Sequence, residues 1–196
     1  MSDPSSETTL RRDAILLAVM PVFGRYGFRK TSVDELAAAA GLSKQGLYLH
    51  FSSKEEVFRE AMKKYLDDGL ELVDRELARP GATLHGRLMG AMDAWFGRHL
   101  RTFAPESFDV IGAGDRLSAT GVEGYKAAFQ AKIAKALSQS REFKSSNVCT
   151  AAEVARVLFL LGLTWKEERP SETELMARFS LCIRACCQIE PDRKAR

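Results

Sequence analysis

Between Thr31 and Phe51 the chain reads TSVDELAAAAGLSKQGLYLHF, a stretch that few local structures accommodate. Ser32 stands where a helix cap stands, and Glu35, three residues on, can return a hydrogen bond to it. Val33 to Ala40 is rich in helix formers and ends at Gly41, which can close a helix in the left-handed conformation. Leu42 is then expected in the core, and Ser43 caps a second helix that begins at Lys44 around a spine of Leu47 and Phe51. Two short helices about a glycine turn make a helix-turn-helix, whose second helix can enter the DNA major groove.

The side chains at these positions suit that task. Lys44 and Gln45 occupy the first turn of the second helix, beside the capping Ser43, where they reach base edges or phosphates. Tyr48, one turn on, offers a hydroxyl and an apolar ring edge. His50 and Lys54 can meet the DNA backbone, as can Thr31 and Ser32 at a helix start whose free N–H groups favour an anion. Gly46 costs roughly 1 kcal/mol of helix stability relative to alanine and would let the helix approach DNA closely. The plainer alternative is that Tyr48 and His50 only pack a small domain. Overall the charge is a modest +3, but Arg11 to Lys54 carries seven Lys/Arg against three acids, an excess placed where phosphates need it.

The segment AAAAGLSKQGLYLHFSSKEEVF, preceded by GRYGFRKTSVDELA, resembles the DNA-binding domain of the TetR/AcrR family of transcriptional regulators. The likeness covers roughly residues 10 to 60; beyond it the chain is similar only in length and helical character. The resemblance implies a one-component regulator, a repressor, which binds a palindromic operator as a homodimer and leaves it when a small-molecule effector binds. It implies no cofactor and no catalysis. The residues agree: no nucleophile–base pair, metal cluster or nucleotide loop stands out, and Gly112-Ala-Gly114 lacks both a third glycine and a preceding strand.

The whole chain reads as all-α, with about nine helices by apolar spacing and no sustained period-two alternation. Residues 1–53 form the expected DNA-binding domain, with 1–8 a disordered lead-in. Residues 54–196 form a helical bundle for effector binding and dimerisation. A first helix opens at Arg11-Arg12, bends at Pro21 and ends at Gly27, with Phe28 folding back onto Phe23. Ser53 with Glu56 starts a long helix that runs to about Arg79, where Pro80-Gly81 stops it. The next helix runs from about Thr83 to Phe103. A loop with one short helix comes after it, and capping pairs at Thr120/Glu123, Thr150/Glu153 and Ser171/Glu174 open three more helices. The longest apolar run, Val157 to Leu163, falls far short of the ~20 residues of a membrane span. With four late cysteines in no spaced framework and no secretory leader, a reducing cytoplasm is expected.

The last two helices carry apolar residues on more than one face. Val154, Val157, Leu158, Leu161 and Trp165, together with Leu175, Phe179, Cys182, Ile183 and Cys186, are expected to build a four-helix interface with a second copy. The resemblance further implies an effector cavity in the bundle, for which Met62, Tyr65, Trp95, Phe96, His99, Phe103, Phe108, Tyr125 and Phe129 are candidates; plain core packing is the competing role. Cys182 and Cys186 share one helix face, so a thiol-responsive regulator is an alternative, against burial as small apolar side chains. His85 and His99 stand roughly 21 Å apart by helical rise, too far to share a metal, and suit a surface or a pocket wall. A helical adaptor with non-specific DNA binding is a further alternative.

Overall fold

The computed structural model describes residues 4–104, 121–143 and 149–187. Among these residues all regular structure is helical, as the sequence predicts. The chain divides into two compact units, Met1–Asp68 with Thr102–Glu123, and Gly69–Arg101 with Gly124–Arg196.

In the first unit, α1 spans Pro4–Lys30. The lead-in expected to be disordered is therefore helical from residue 4. A proline costs nothing at a first helical position, and Glu7 in the first turn favours the positive end of the helix dipole. The backbone stays helical through Pro21 and breaks at Gly27 (φ 78°, ψ 164°), a conformation that only glycine adopts cheaply. Pro21 therefore keeps helical backbone angles, and the break falls at Gly27, where the sequence ends the helix. Pro21 is itself exposed, so a lost hydrogen bond there can be made good by water. Phe28 does fold back on Phe23, with ring centroids 6.3 Å apart, and both rings lie 5.0 Å from Phe58. At Gly24 a Cβ would stand 2.2 Å from the Thr102 carbonyl oxygen, and the Ala104 N–H donates to the Gly24 carbonyl at 2.8 Å.

Helices α2 (Val33–Ala39), α3 (Lys44–Tyr48) and α4 (Lys54–Leu77) come next. Ser53 caps α4 by accepting from the Glu56 N–H at 3.1 Å, but the Glu56 carboxylate returns to Ser52, not to Ser53. Val57, Phe58, Ala61 and Tyr65 of α4 are buried in one core with Ile15, Val19, Phe23, Leu36, Leu47 and Phe51. That shared core carries the first unit to Asp68, past the boundary expected at residue 53.

The second unit holds the rest of α4 with α5 (Leu84–Met92), a π-helical turn (Asp93–Gly97), α6 (Arg98–Thr102, whose last residue belongs to the first unit), α7 (Gly121–Gln139, which enters the second unit at Gly124), α8 (Ala151–Glu168) and α9 (Glu172–Cys187). Sequence spacing predicts one uninterrupted α-helix from 83 to 103; the π turn widens it in the middle. At Gly97 a Cβ would sit 2.1 Å from Asp93 Oδ1, and Arg101 clasps Asp93 (2.8 and 3.1 Å) and Glu172 (2.5 Å). The core is a cluster of Phe96, Phe129, Phe159 and Phe179, with centroids 5.3–5.8 Å apart. Gly162 makes room for it, since a Cβ there would lie 2.5 Å from the Phe96 ring. Thr150 and Ser171 form the expected capping boxes with Glu153 and Glu174; Thr120 lies outside the described residues.

These contacts reassign several predicted residues. Val154, Leu158, Leu175, Phe179 and Ile183 are buried in the core of their own unit, so they are not available to a second copy. Two helices that pack on the same core must spend one stripe each on it. Val157, Leu160 and Leu181 are what remains exposed, at 42%, 49% and 60%; Leu161, Trp165, Cys182 and Cys186 are half-buried. Among the cavity candidates, Phe96 and Phe129 are core, Trp95 packs 5.2 Å from Phe129, and Phe108 lies outside the described residues. Tyr65 and Phe103 pair at 5.3 Å in the first unit, where Met62 packs partly buried against the same core. Tyr125 and His99 are half-buried in the second. His85 is not at the surface: it is buried, with Nε2 3.0 Å from the Ser180 hydroxyl.

Candidate nucleic-acid interface

The geometry of residues 31–51 arises from its caps. Ser32 accepts from the Glu35 N–H at 3.2 Å while the Glu35 carboxylate takes the Ser32 N–H at 2.7 Å. The same bonds hold the Glu35 carboxyl below its usual pKa, so it stays ionised at the positive end of α2. At the other end Gly41 adopts φ 67°. Its N–H bonds to the Ala38 carbonyl at 3.0 Å, and the Leu42 N–H bonds to the Ala37 carbonyl at 2.8 Å, the paired bonds of a Schellman turn. Leu42 packs half-buried, and the Ser43 hydroxyl accepts from the Gly46 N–H at 3.0 Å to start α3. Leu47 and Phe51 are each 1% exposed, so the spine is buried and the opposite side of α3 faces outward.

That outward side holds Ser43, Lys44, Gln45 and Tyr48, with Ser32 exposed at the start of α2. Lys44 is paired with Asp34 at 3.4 Å, both side chains more than half exposed. Such a pair is worth at most about 1 kcal/mol, and a phosphate can displace it. At Gly46 a Cβ would meet the Ser43 hydroxyl at 3.3 Å, tight but not closed, so the protein's own packing does not strictly demand glycine.

Three predicted residues sit differently. Thr31 is 2% exposed, with its hydroxyl donated to the Gly27 carbonyl at 2.7 Å; its side chain closes the end of α1 and is withdrawn from the outer face. Lys54 donates to the Thr31 carbonyl at 2.8 Å and lies 4.5 Å over the Phe28 ring, so it braces the start of α2. His50 is half-buried, and its carbonyl accepts from Arg12.

Two residues escape a reading of the sequence. Arg12, there only one of a basic pair, bonds the His50 carbonyl, lies 4.4 Å over the Phe51 ring and reaches Glu56 at 3.5 Å. Nothing local signals a contact across 38 residues. Leu49 is 86% exposed beside Tyr48; its signal is an apolar residue out of step with the Leu47–Phe51 spine. Its branched tip suits a thymine methyl or a sugar edge.

Elsewhere no disulfide joins the four cysteines. Burial raises the thiol pKa of Cys182 and Cys186 and pushes Cys187 up to about 12. Among the described residues there is no group of three or more potential metal ligands and no helix long and apolar enough to cross a membrane.

Known proteins share this arrangement. The family described as bacterial regulatory proteins, tetR family, matches residues 15–61. The repressor KstR2 of Mycobacterium tuberculosis is 32% identical over 98 residues, 48% of each chain; the curated relatives are matched over only 30–48% of their own length. The reduced form of Escherichia coli NemR has the same fold, with a TM-score of 0.72 at 15% identity over 93% of this chain and 99% of NemR. AibR, solved with isovaleryl coenzyme A and operator DNA, gives a TM-score of 0.59 at 21% identity over 92% of this chain and all of AibR. With a capped helix-turn-helix inside the matched span, residues 15–61 carry the DNA-binding domain of the tetR family of bacterial regulatory proteins, and the chain has the fold of the solved members.

Proposed function

We propose that this chain is a homodimeric, cytoplasmic repressor that occupies a palindromic operator and leaves it when a small molecule binds its C-terminal unit. The observation that carries the reading is the outward side of α3, where Lys44, Gln45, Tyr48 and Leu49 are exposed over a buried Leu47 and Phe51. A short helix with a rigid apolar back and a polar front is built to be inserted. Exposed Val157, Leu160 and Leu181 on α8 and α9 support a second copy as partner, since an isologous pairing would cover all three on both chains. In such a dimer the two α3 helices must stand ~34–36 Å apart to enter successive major grooves.

Release rests on linkage: an effector that weakens DNA binding must itself bind the DNA complex more weakly. Helix α4 runs unbroken from Lys54 to Leu77 and contributes residues to both units, which supports a mechanical route between them. The complex of AibR with both a ligand and operator DNA supports the same pairing of functions. Thiol sensing is the weaker reading, because raised pKa values keep the thiols protonated and slow to react.

Selection of bound DNA from a random pool by the purified chain tests the proposal. Enrichment of an inverted repeat supports both reader and dimer. Binding with a steep salt dependence and no preferred sequence would instead favour a non-specific DNA-associated factor.

A further inference from the structure

A groove of about 420 Å³ opens on the second unit between the end of α4, α5 and α7, within the ~300–1,000 Å³ range of small-molecule sites. Its charges do not balance. Arg87, Lys132 and Lys135 line it against a single acid, Asp74, and that acid is taken by Lys132 at 2.6 Å. Arg87 and Lys135 have no ion-pair partner among the described residues. The Arg87 Nε is moreover buried with no hydrogen-bond acceptor. A buried guanidinium donor without an acceptor is unfavourable, so Arg87 is not fully paired by the protein's own groups. We propose that this groove binds a phosphate-bearing small molecule, with the phosphate between Arg87 and Lys135 and the organic body along Leu77 and Ala136.

The chemistry favours phosphate. The guanidinium offers a planar fork of donors that matches two oxygens of one phosphate, and lysine adds a point charge without imposing geometry. One of the two free cations is half-buried and the other exposed, so the anion would be gripped at its inner side and still reachable from solvent. The site gives the effector of the proposed regulator a place and a chemistry; it rests on that reading only for its regulatory consequence.

Binding can be measured without DNA, by titration calorimetry of the full chain with inorganic pyrophosphate at fixed ionic strength. The expected result is saturable binding, weakened at least tenfold in Arg87→Met and in Lys135→Ala and unchanged in Lys44→Ala. Should Arg87→Met fail to fold, the exposed Lys135→Ala decides. No saturable binding, or an affinity untouched by both groove variants, overturns the proposal. So does an affinity lost only with Lys44→Ala, which would place the anion on the DNA-reading side. A chain that binds pyrophosphate through Arg87 but enriches no inverted repeat would keep the groove and lose the regulator.

Discussion

The Arg12 guanidinium lies 4.4 Å above the Phe51 ring and ties α1 to the residue that closes the reading segment. It also bonds the His50 carbonyl and approaches Glu56, so one side chain sets where the end of α3 sits. In Arg12→Met the stem still covers Phe51 but the charge and its bonds are gone. Stability should fall by about 1–2 kcal/mol, seen as a melting midpoint lower by a few degrees. Affinity for the selected DNA site should drop about tenfold, beyond what the small loss of folded protein explains. A variant of normal DNA affinity would remove Arg12 from the positioning of α3.

Tyr48 and Leu49 make the opposite prediction. Both are exposed, at 43% and 86%, so Tyr48→Ala and Leu49→Ala should leave the unfolding free energy from urea titration within about 0.5 kcal/mol of the parent. Each should nevertheless weaken DNA binding by roughly 1–3 kcal/mol in a fluorescence anisotropy titration, if it reaches a base edge. A Leu49→Ala variant with unchanged affinity and sequence preference would make Leu49 a bystander.

Gly162→Ala tests the packing of the second unit. The added methyl would stand 2.5–2.7 Å from three atoms of the Phe96 ring, and that ring is held by Phe129, Phe159 and Phe179. Overpacking of this kind costs about 1–3 kcal/mol, readable in urea unfolding of the purified chain. The DNA sequence preference proposed to arise from α3 should be unchanged.

His99 predicts a pH dependence. Burial, with a smaller contribution from Lys166, lowers its pKa from 6.5 to about 3. Below pH 6.5 the unfolded chain therefore takes up a proton that the folded chain refuses. Stability is full above pH 6.5 and falls toward pH 3, with a limiting slope of about 1.4 kcal/mol per pH unit. Urea unfolding at pH 7.5 and pH 5 should show the loss, and His99→Gln should reduce it. The capping acids Glu35, Glu153 and Glu174, whose pKa values are lowered by their serine or threonine partners, lose their contribution only at lower pH, as they become protonated below their ordinary value of 4.5.

The proposed dimer is tested at its exposed residues. Leu160→Glu and Leu181→Glu, at 49% and 60% exposure, should leave the protomer folded by circular dichroism and shift sedimentation toward the monomer. DNA affinity should then collapse, because one half-site alone binds weakly. A parent chain that is monomeric in solution at micromolar concentration would sink the dimer.

Much of the fold is readable from sequence where the determinants are local. Ser32, Glu35, Gly41 and Ser43 specify their turn by chemistry within a few residues, and the structure repeats it bond for bond. Spacing alone is enough to bury Leu47 and Phe51. Features that depend on distant partners are not readable in this way. Apolar spacing cannot say which stripe of α8 meets its own core, so Val154 and Leu158 pass for a free surface. Thr31 looks like a polar residue near DNA because its acceptor, the Gly27 carbonyl, exists only once that glycine breaks α1. The π turn at Asp93–Gly97 has no period of its own to betray it.

That wider turn sets the angular phase of Arg98–Thr102. Each residue of an α-helix advances the chain by about 100°, so one surplus residue between Asp93 and Gly97 rotates this segment by about that angle from where plain α winding would aim it. Removing a single residue from the turn would let the backbone relax into even winding and point Arg101 away from Glu172, its partner at 2.5 Å. The length of the chain here, counted to the residue, acts as a dial for the orientation of a whole helical segment.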